Sequence, residues 1–274
     1  MSTVLFDDVS VHPAPRGLWG YISPSRLNCW LSCPRKFKIQ YVDGHKQPTT
    51  SSLFLGKIVH AGMEVYHRHL QLGVTLTAVD LHRQILEIWG PARDIEQMLF
   101  DSPVEEQALQ RQALNLVGAY LLQAPHNEKP LAVETTIETP LIDPLSGEDF
   151  GIPLLGIIDL IIDNPEGPLI ADFKTSARSN DPLEVMHDIQ LTSYAYLVRH
   201  STGHIESGLE IRSLIKTKTP KIEFHRYPTR TEAHFRRLFE VIRVYLDDLD
   251  RRRFIYRPGF GCGMCAYRDG LCRA

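Results

Sequence analysis

Two carboxylates and a lysine fall close together in a stretch that otherwise reads as β-strand. Asp159 closes Gly-Ile-Ile-Asp, and Asp172 and Lys174 sit in Ala-Asp-Phe-Lys-Thr. Burying a lone carboxylate among apolar strand residues costs roughly several kcal/mol unless a cation or a hydrogen-bond donor compensates. Alternation along a strand points Asp172 and Lys174 to one face. The Asn-Pro-Glu-Gly turn at 164–167 pairs the strands on either side of it, so Asp159 and Asp172 can converge on one cation. Hard oxygen ligands suit Mg²⁺ or Mn²⁺. Such an ion polarises a phosphoryl oxygen and lowers the pKa of an attacking water, and a lysine beside it orients that water or neutralises developing charge. Taken alone, this spacing of two aspartates and a lysine recurs by chance. The bland reading is two carboxylates near a turn with Lys174 as their ion-pair partner.

Other residues of chemical interest lie outside this stretch. The cysteines Cys29, Cys33, Cys262, Cys265 and Cys272 gather near the two ends of the chain. An odd count argues against a disulfide framework, and the clustering argues for a bound metal or cluster. Cys262-Gly-Met-Cys265 with Cys272 supplies three thiolates, and one more from the amino-terminal segment makes a four-thiolate site for zinc or an iron-sulfur cluster. Spacing does not separate the two metals, and an unliganded trio is the alternative. His60 lies on an apolar helix face, where a core histidine is the commoner case. Gln190 and Tyr194, one helical turn apart, can equally be a polar edge on a core helix.

The elements that must position these residues follow from periodicity and punctuation. Ser23-Pro24 starts a helix, and Pro34 ends it and opens a second through Tyr41. A helix is predicted over 53–72, with Leu55, Ile58, Val59, Met63 and Tyr66 on its apolar face and Gly73 as its stop. Two more helices are predicted over 77–89 and 103–122. The period then changes. Strands are predicted over 131–139, 153–163, 168–174, 207–215 and 222–227, with helices over 184–199 and 229–253. The outline is α/β: a mixed central sheet flanked by helices, with a helical insertion at 74–125. One unit over 21–274 follows an extension at 1–20 and ends in a cysteine-rich tail at 254–274.

Length and composition bound these readings. A chain of 274 residues buries one substantial core, and 43% hydrophobic with 23% charged residues is ordinary for a protein that folds in water. The stretch 1–10 carries Asp7 and Asp8 and lacks the pattern of a secretory signal, and no apolar run spans a bilayer, so a cytoplasmic protein without a membrane partner is expected. A net charge of −3 excludes a generally basic surface, so any DNA affinity must be local. Basic clusters stand at Arg35, Lys36 and Lys38, at Lys216, Lys218 and Lys221, and at Arg251, Arg252 and Arg253. Each is otherwise a solvated face.

In order along the chain, these segments resemble the PD-(D/E)XK nuclease superfamily, in particular its RecB-like branch of CRISPR-adaptation-type iron-sulfur exonucleases. Gly-Ile-Ile-Asp followed by Ala-Asp-Phe-Lys-Thr is similar to the family core. His60 in Gly-Lys-Ile-Val-His is similar to a helical histidine that ligates metal. Gln190 and Tyr194 in Asp-Ile-Gln-Leu-Thr-Ser-Tyr are similar to a helix motif beside the catalytic lysine. Ser-Pro-Ser-Arg-Leu followed by Cys-Pro-Arg-Lys-Phe is similar to the amino-terminal segment of iron-sulfur members. The resemblance covers the chain from about residue 21 onward, with 74–125 its least diagnostic part.

The resemblance implies a restriction-endonuclease-like fold and hydrolysis of DNA phosphodiesters with Mg²⁺ or Mn²⁺, often from single-stranded ends. It implies that Asp159, Asp172 and His60 hold the metal, with the Phe173 carbonyl as a further ligand. Lys174 would act on the water or the transition state, and Gln190 and Tyr194 would position Lys174 and the DNA backbone. Related enzymes often carry an acid where Glu134 stands, which either completes the metal site or pairs with a nearby base. Iron-sulfur members use one cysteine before the core and three after it. That implies a 4Fe-4S cluster on Cys33, Cys262, Cys265 and Cys272, with Cys29 spare or exchanging roles with Cys33. The implied setting is DNA repair, recombination or CRISPR spacer acquisition, with DNA and a helicase, recombination protein or CRISPR integrase as partners. The rival is a non-catalytic DNA-binding subunit, and the joint presence of Asp159, Asp172 and Lys174 speaks against it.

Overall fold

A computed structural model of the chain describes residues 17–125, 127–179 and 184–273. Residues 1–16, most of the expected amino-terminal extension, lie outside the described residues. Helix α1 (Pro24–Ser32) starts where Ser23 Oγ accepts the Arg26 N–H at 3.3 Å. Cys33 is extended, at φ −165°, and breaks the chain between α1 and α2 (Pro34–Phe37), which runs on into a π-helical turn at Lys38–Val42. Thr50 caps α3 (Ser51–Gln71), and Gly73, at φ +76°, turns the chain away from it as the sequence predicts.

Helix α4 (Ala78–Ile95) runs past the end predicted at residue 89 and carries Pro91 inside it. The Gly-Pro pair weakens the helix locally, but packing across layers holds both sides of it. Trp89 is buried against Phe54, and its Nε1 donates to Glu106 Oε1 at 2.9 Å on α5 (Pro103–Gln123). Arg93, beyond the proline, reaches the same carboxylate at 3.4 Å. Tertiary packing overrides propensity here.

Among the described residues the sheet has five strands in chain order, β1 (Pro130–Ile142), β2 (Asp149–Ile162), β3 (Leu169–Ser176), β4 (Gly208–Ile215) and β5 (Lys221–Tyr227). Only β3 and β4 run parallel, joined by a crossover through α6 (Glu184–Thr202); the other neighbours are antiparallel. The expected mixed sheet flanked by helices is therefore present, with β1 and β2 longer than predicted.

Two apolar cores lie on the two faces of the sheet. One gathers Ile22, Trp30, Phe37, Ile158, Tyr196, Phe239 and Tyr245 from α1, α2, the sheet, α6 and α7 (Glu232–Asp250). The other gathers Phe54, Ile58, Trp89, Leu116, Leu160 and Phe173 from α3, α4, α5 and the sheet. Segment 74–125 is thus the outer part of a helical layer built on α3, with α5 reaching β4 and β5. Among the described residues no helix is long and apolar enough to cross a membrane.

Candidate active site

Strand register brings three carboxylates into one row. The β1–β2 ladder pairs Val133 with Leu160 and Thr135 with Ile158, which sets Glu134 beside Asp159. The β2–β3 ladder ends at Leu160 and Ala171, and the next position on each strand is Asp159 and Asp172. Strand β3 stays paired with β4 as far as Ser176, so β2 and β3 part where the two aspartates stand. Glu134 has φ +46°, a left-handed conformation that costs a non-glycine residue free energy and is commoner at functional sites than elsewhere. Sequence pattern alone ranks Glu134 below the other acids. Its place beside Asp159 depends on register, which a single strand does not reveal.

Neighbouring elements then fix each group. Asp159 Oδ2 accepts the Phe173 N–H at 2.7 Å and faces His60 Nδ1, on α3, at 3.5 Å. Asp172 Oδ1 accepts from Gln190 Nε2, on α6, at 2.9 Å, and the same amide lies 2.8 Å from the Tyr194 hydroxyl. Lys174 Nζ stands 2.6 Å from Asp172 Oδ2, an oxygen that is buried and makes no well-aligned hydrogen bond. Gly156 admits α6 to this position: a Cβ there would lie 2.6 Å from Leu197 Cδ1 and 3.3 Å from Tyr194 Cε1. Phe173 gives its N–H to Asp159, and its ring packs near His60, His67 and Tyr120.

His60, Glu134 and Lys174 line an open cavity of about 890 Å³, joined by Lys57, Glu64 and Thr175. The last three do not stand out in the sequence. Glu64, one helical turn after His60, was the available signal.

Charge is finely divided among these groups. Burial pushes the Asp172 carboxyl up to about 6, helped by the Asp159 charge and opposed by Lys174. Burial and the Asp159 charge likewise push Glu134 up to about 7. Asp159 goes the other way: burial raises it, but the His60 hydrogen bond and charge, Lys174 and the Phe173 N–H together hold it below the usual carboxylate range. Burial lowers His60, and its hydrogen bond to Asp159 and the carboxylate charges outweigh that, leaving it raised. For Lys174 the charges of Asp172 and Asp159 likewise outweigh burial.

Among the described residues no three His, Cys, Asp or Glu side chains stand close enough together to hold an ion. The ammonium of Lys174 and the imidazole of His60 lie against the aspartates instead. The donor chemistry nevertheless fits a hard cation. Three carboxylates share one row, and Asp172 Oδ2 is met only by the Lys174 ammonium, a charge that a cation can replace.

The cysteines occupy a different place. Cys33, Cys262, Cys265 and Cys272 border a single cavity of about 650 Å³, and Cys29 is not among its lining residues. None of the five is in a disulfide, and among the described residues no three of their thiols stand close enough together to hold an ion. Burial pushes the Cys29 thiol up to about 11, and its Sγ faces Gln40 Oε1 at 3.9 Å. Hydrogen bonds already tie the end segments, from Arg35 N–H to the Ile255 carbonyl at 3.1 Å and from the Tyr267 hydroxyl to the His45 carbonyl at 2.6 Å.

A family model of the PD-(D/E)XK nuclease superfamily matches residues 21–273. Among solved structures, a protein from Eubacterium rectale described as a "putative exonuclease" aligns with a TM-score of 0.55 at 15% identity, covering 90% of this chain and 93% of that one. At that identity the likeness concerns the fold. The structure of SSO0001 aligns over 85% of this chain and 91% of its own, at 16% identity and a TM-score of 0.36. No curated protein matches the sequence.

Proposed function

The chain belongs to the PD-(D/E)XK nuclease superfamily, and on that premise we propose that it is a metal-dependent exonuclease that hydrolyses phosphodiester bonds at single-stranded DNA ends. The observation that carries this reading is the carboxylate row of Glu134, Asp159 and Asp172, with Lys174 at 2.6 Å from Asp172. The exonuclease direction is supported by the resemblance of the motifs and by the description of the Eubacterium rectale neighbour.

Asp159, Asp172 and His60 are the residues that would hold Mg²⁺ or Mn²⁺, with the Phe173 carbonyl and the Glu134 carboxylate as further ligands. A divalent ion there supplies polarisation of a phosphoryl oxygen and a water of lowered pKa. Lys174 brings an ammonium to the wall of the open cavity, where it orients the nucleophile or offsets charge growing on the phosphoryl oxygens. Gln190 holds the Asp172 carboxylate, and Tyr194 holds Gln190, so both position the reacting groups from behind. The setting we propose is processing of DNA ends in repair, recombination or CRISPR spacer acquisition, beside a helicase, recombination protein or integrase.

The direct test follows end-labelled linear single- and double-stranded DNA, with and without Mn²⁺, alongside a circular single strand. The expected result is Mn²⁺-dependent release of label from linear single strands, stopped by a chelator, with the circle intact. Cutting of the circle would make the enzyme an endonuclease, and no cutting with Mn²⁺, or with Mg²⁺ in its place, would remove the nuclease activity.

Titration of the site gives a further expectation. Because Asp172 is raised to about 6 and Glu134 to about 7, the folded ion-free protein holds these protons more tightly than the unfolded chain, whose carboxyls lie near 3.8 and 4.5. Their stabilising contribution is complete below about pH 4 and is lost as pH rises through about 6 to 7. A cation needs both groups ionised. Mn²⁺ should therefore raise the melting temperature more at about pH 8 than at about pH 5.5. An equal or larger rise at the lower pH would place the ion elsewhere.

We also assign the cysteine cavity to a 4Fe-4S cluster held by Cys33, Cys262, Cys265 and Cys272. What supports this is that the four border one cavity while Cys29 stands off it. A group bound there would close a very long loop and stabilise the fold through the unfolded state. Cys265→Ser, purified without air, should lose iron and visible absorbance and melt at a lower temperature. A colourless, iron-free wild-type protein, or a variant as stable and coloured as wild type, would overturn the assignment, and zinc in the wild-type protein would identify the other four-thiolate metal.

A further inference from the structure

The three basic runs of the sequence meet different fates in the fold. Arg251 and Arg253 pair with Asp247 and Asp248, so two of the three charges of that run meet carboxylates of α7. Lys38 pairs with Asp43 at 2.7 Å, and Lys36 borders the cysteine cavity. The third run has another surrounding. Lys216 and Lys218, in the β4–β5 turn, face α5 across a cleft of about 280 Å³ that Arg111, Gln112, Asn115 and Thr217 also line. Three cations, two carboxamides and a hydroxyl converge there. No carboxylate is among its lining residues, although the chain carries a net charge of −3. Cations gathered in a concave surface without counter-charge repel one another and focus potential outward, which favours an anion in the cleft.

The cleft is connected to the carboxylate site. Ser176, the last residue of β3, pairs with Ile215, and the next residue, Lys216, donates its backbone N–H to the Ser176 carbonyl at 2.9 Å. The Lys216 ammonium donates to Ser52 Oγ at 2.6 Å. Ser52 in turn lines the cavity that holds Lys174 and Thr175, where Lys57 is already paired with Glu96 at 2.5 Å and Glu64 and Glu134 supply negative charge. A line of cations and hydroxyls therefore leads from Lys174 through Ser52 and Lys216 to Lys218 and Arg111, past the carboxyl ends of β3 and β4.

We propose that this cleft holds the phosphate backbone of the DNA strand whose end occupies the catalytic cavity. The proposal rests on the nuclease reading and names where the rest of the substrate lies. Lysine and arginine neutralise phosphates and release counterions, while amide and hydroxyl groups donate to phosphate oxygens, so the hold is independent of base sequence. It keeps a strand attached after each terminal nucleotide leaves.

The test measures binding of an end-labelled single strand of about 30 nucleotides to the full chain, in chelator, by fluorescence anisotropy over a range of salt. Arg111 and Lys218 are exposed, so the double variant Arg111→Gln/Lys218→Gln should fold as wild type does. Its slope of log affinity against log salt should fall by about 1.4, or about 0.7 for each phosphate that is no longer neutralised, with about 10-fold or greater weakening at low salt. Arg251→Gln, which removes a charge already paired with Asp247, should leave the slope unchanged. A double variant with the wild-type slope, or one that weakens binding without changing the slope, overturns the cleft assignment. Cleavage by the wild-type protein is scored separately: if it cuts DNA while the slopes agree, the cleft fails alone, and if it binds as expected but never cuts, the nuclease reading fails alone.

Discussion

Replacing Asp172 by Asn should reduce DNA cleavage at least about 1000-fold while leaving the metal-free protein more stable above about pH 7. Both halves follow from one arrangement. Asp172 is 2% exposed, and its raised carboxyl shows that ionisation is unfavourable where it stands. An amide of the same shape removes that cost and can still face Gln190, so stability rises where the carboxylate would be charged. The same change removes a charged ligand and the partner of Lys174, so catalysis falls. Lys174→Ala should lose activity on a similar scale and, because it leaves the buried Asp172 carboxylate without its cation, should also lower the stability of the metal-free protein at about pH 8. Cleavage rates with Mn²⁺ and melting curves in chelator, each at about pH 8, decide the matter. A fully active Asp172→Asn protein would sink the site assignment, and an inactive but much less stable one would show that its loss of activity is a loss of fold.

The second large effect is on stability alone. Arg212→Met is expected to cost about 3–5 kcal/mol, read from urea unfolding. Arg212 is fully buried on β4. Its guanidinium grips both oxygens of Glu128, meets Glu210 Oε1 at 2.7 Å and donates to the Tyr120 hydroxyl. Without it, Glu128 is left as an uncompensated carboxylate, and Glu210 keeps only its 3.0 Å bond to Arg226. The penalty arises from stranding buried charge rather than from any large net value of the intact pair. Arg212→Met/Glu128→Met should therefore recover part of the loss, since an apolar pair of similar volume leaves one fewer orphaned charge. A single variant within about 1 kcal/mol of wild type would mean that water reaches these carboxylates.

His67 belongs to the same layer and shows how neighbouring histidines on one helix divide their roles. It lies two turns after His60 on α3, but burial pushes it down to about 3, and it bonds the Met63 carbonyl and the Tyr120 hydroxyl. His60, partly exposed and beside Asp159, is raised instead. Their sequence surroundings look alike, and only the depth of each position in the layer separates a core histidine from one that faces the cavity.

What the amino-acid sequence determined by itself is what depends on near neighbours. Strand alternation put Asp172 and Lys174 on one face, the turn at 164–167 returned the chain beside Asp159, and Ser23 and Gly73 marked helix ends. These follow from backbone sterics and local hydrogen bonds, which act over a few residues. The tertiary structure alone decided the rest. Glu134 joins the acid row through the β1–β2 register, and Gln190 reaches Asp172 through a crossover. The continuation of α4 through Pro91 and the meeting of Arg111 with Lys216 and Lys218 are of the same kind. Each depends on how layers distant in sequence pack against one another, and that free energy is spread over two whole cores rather than written in any one segment.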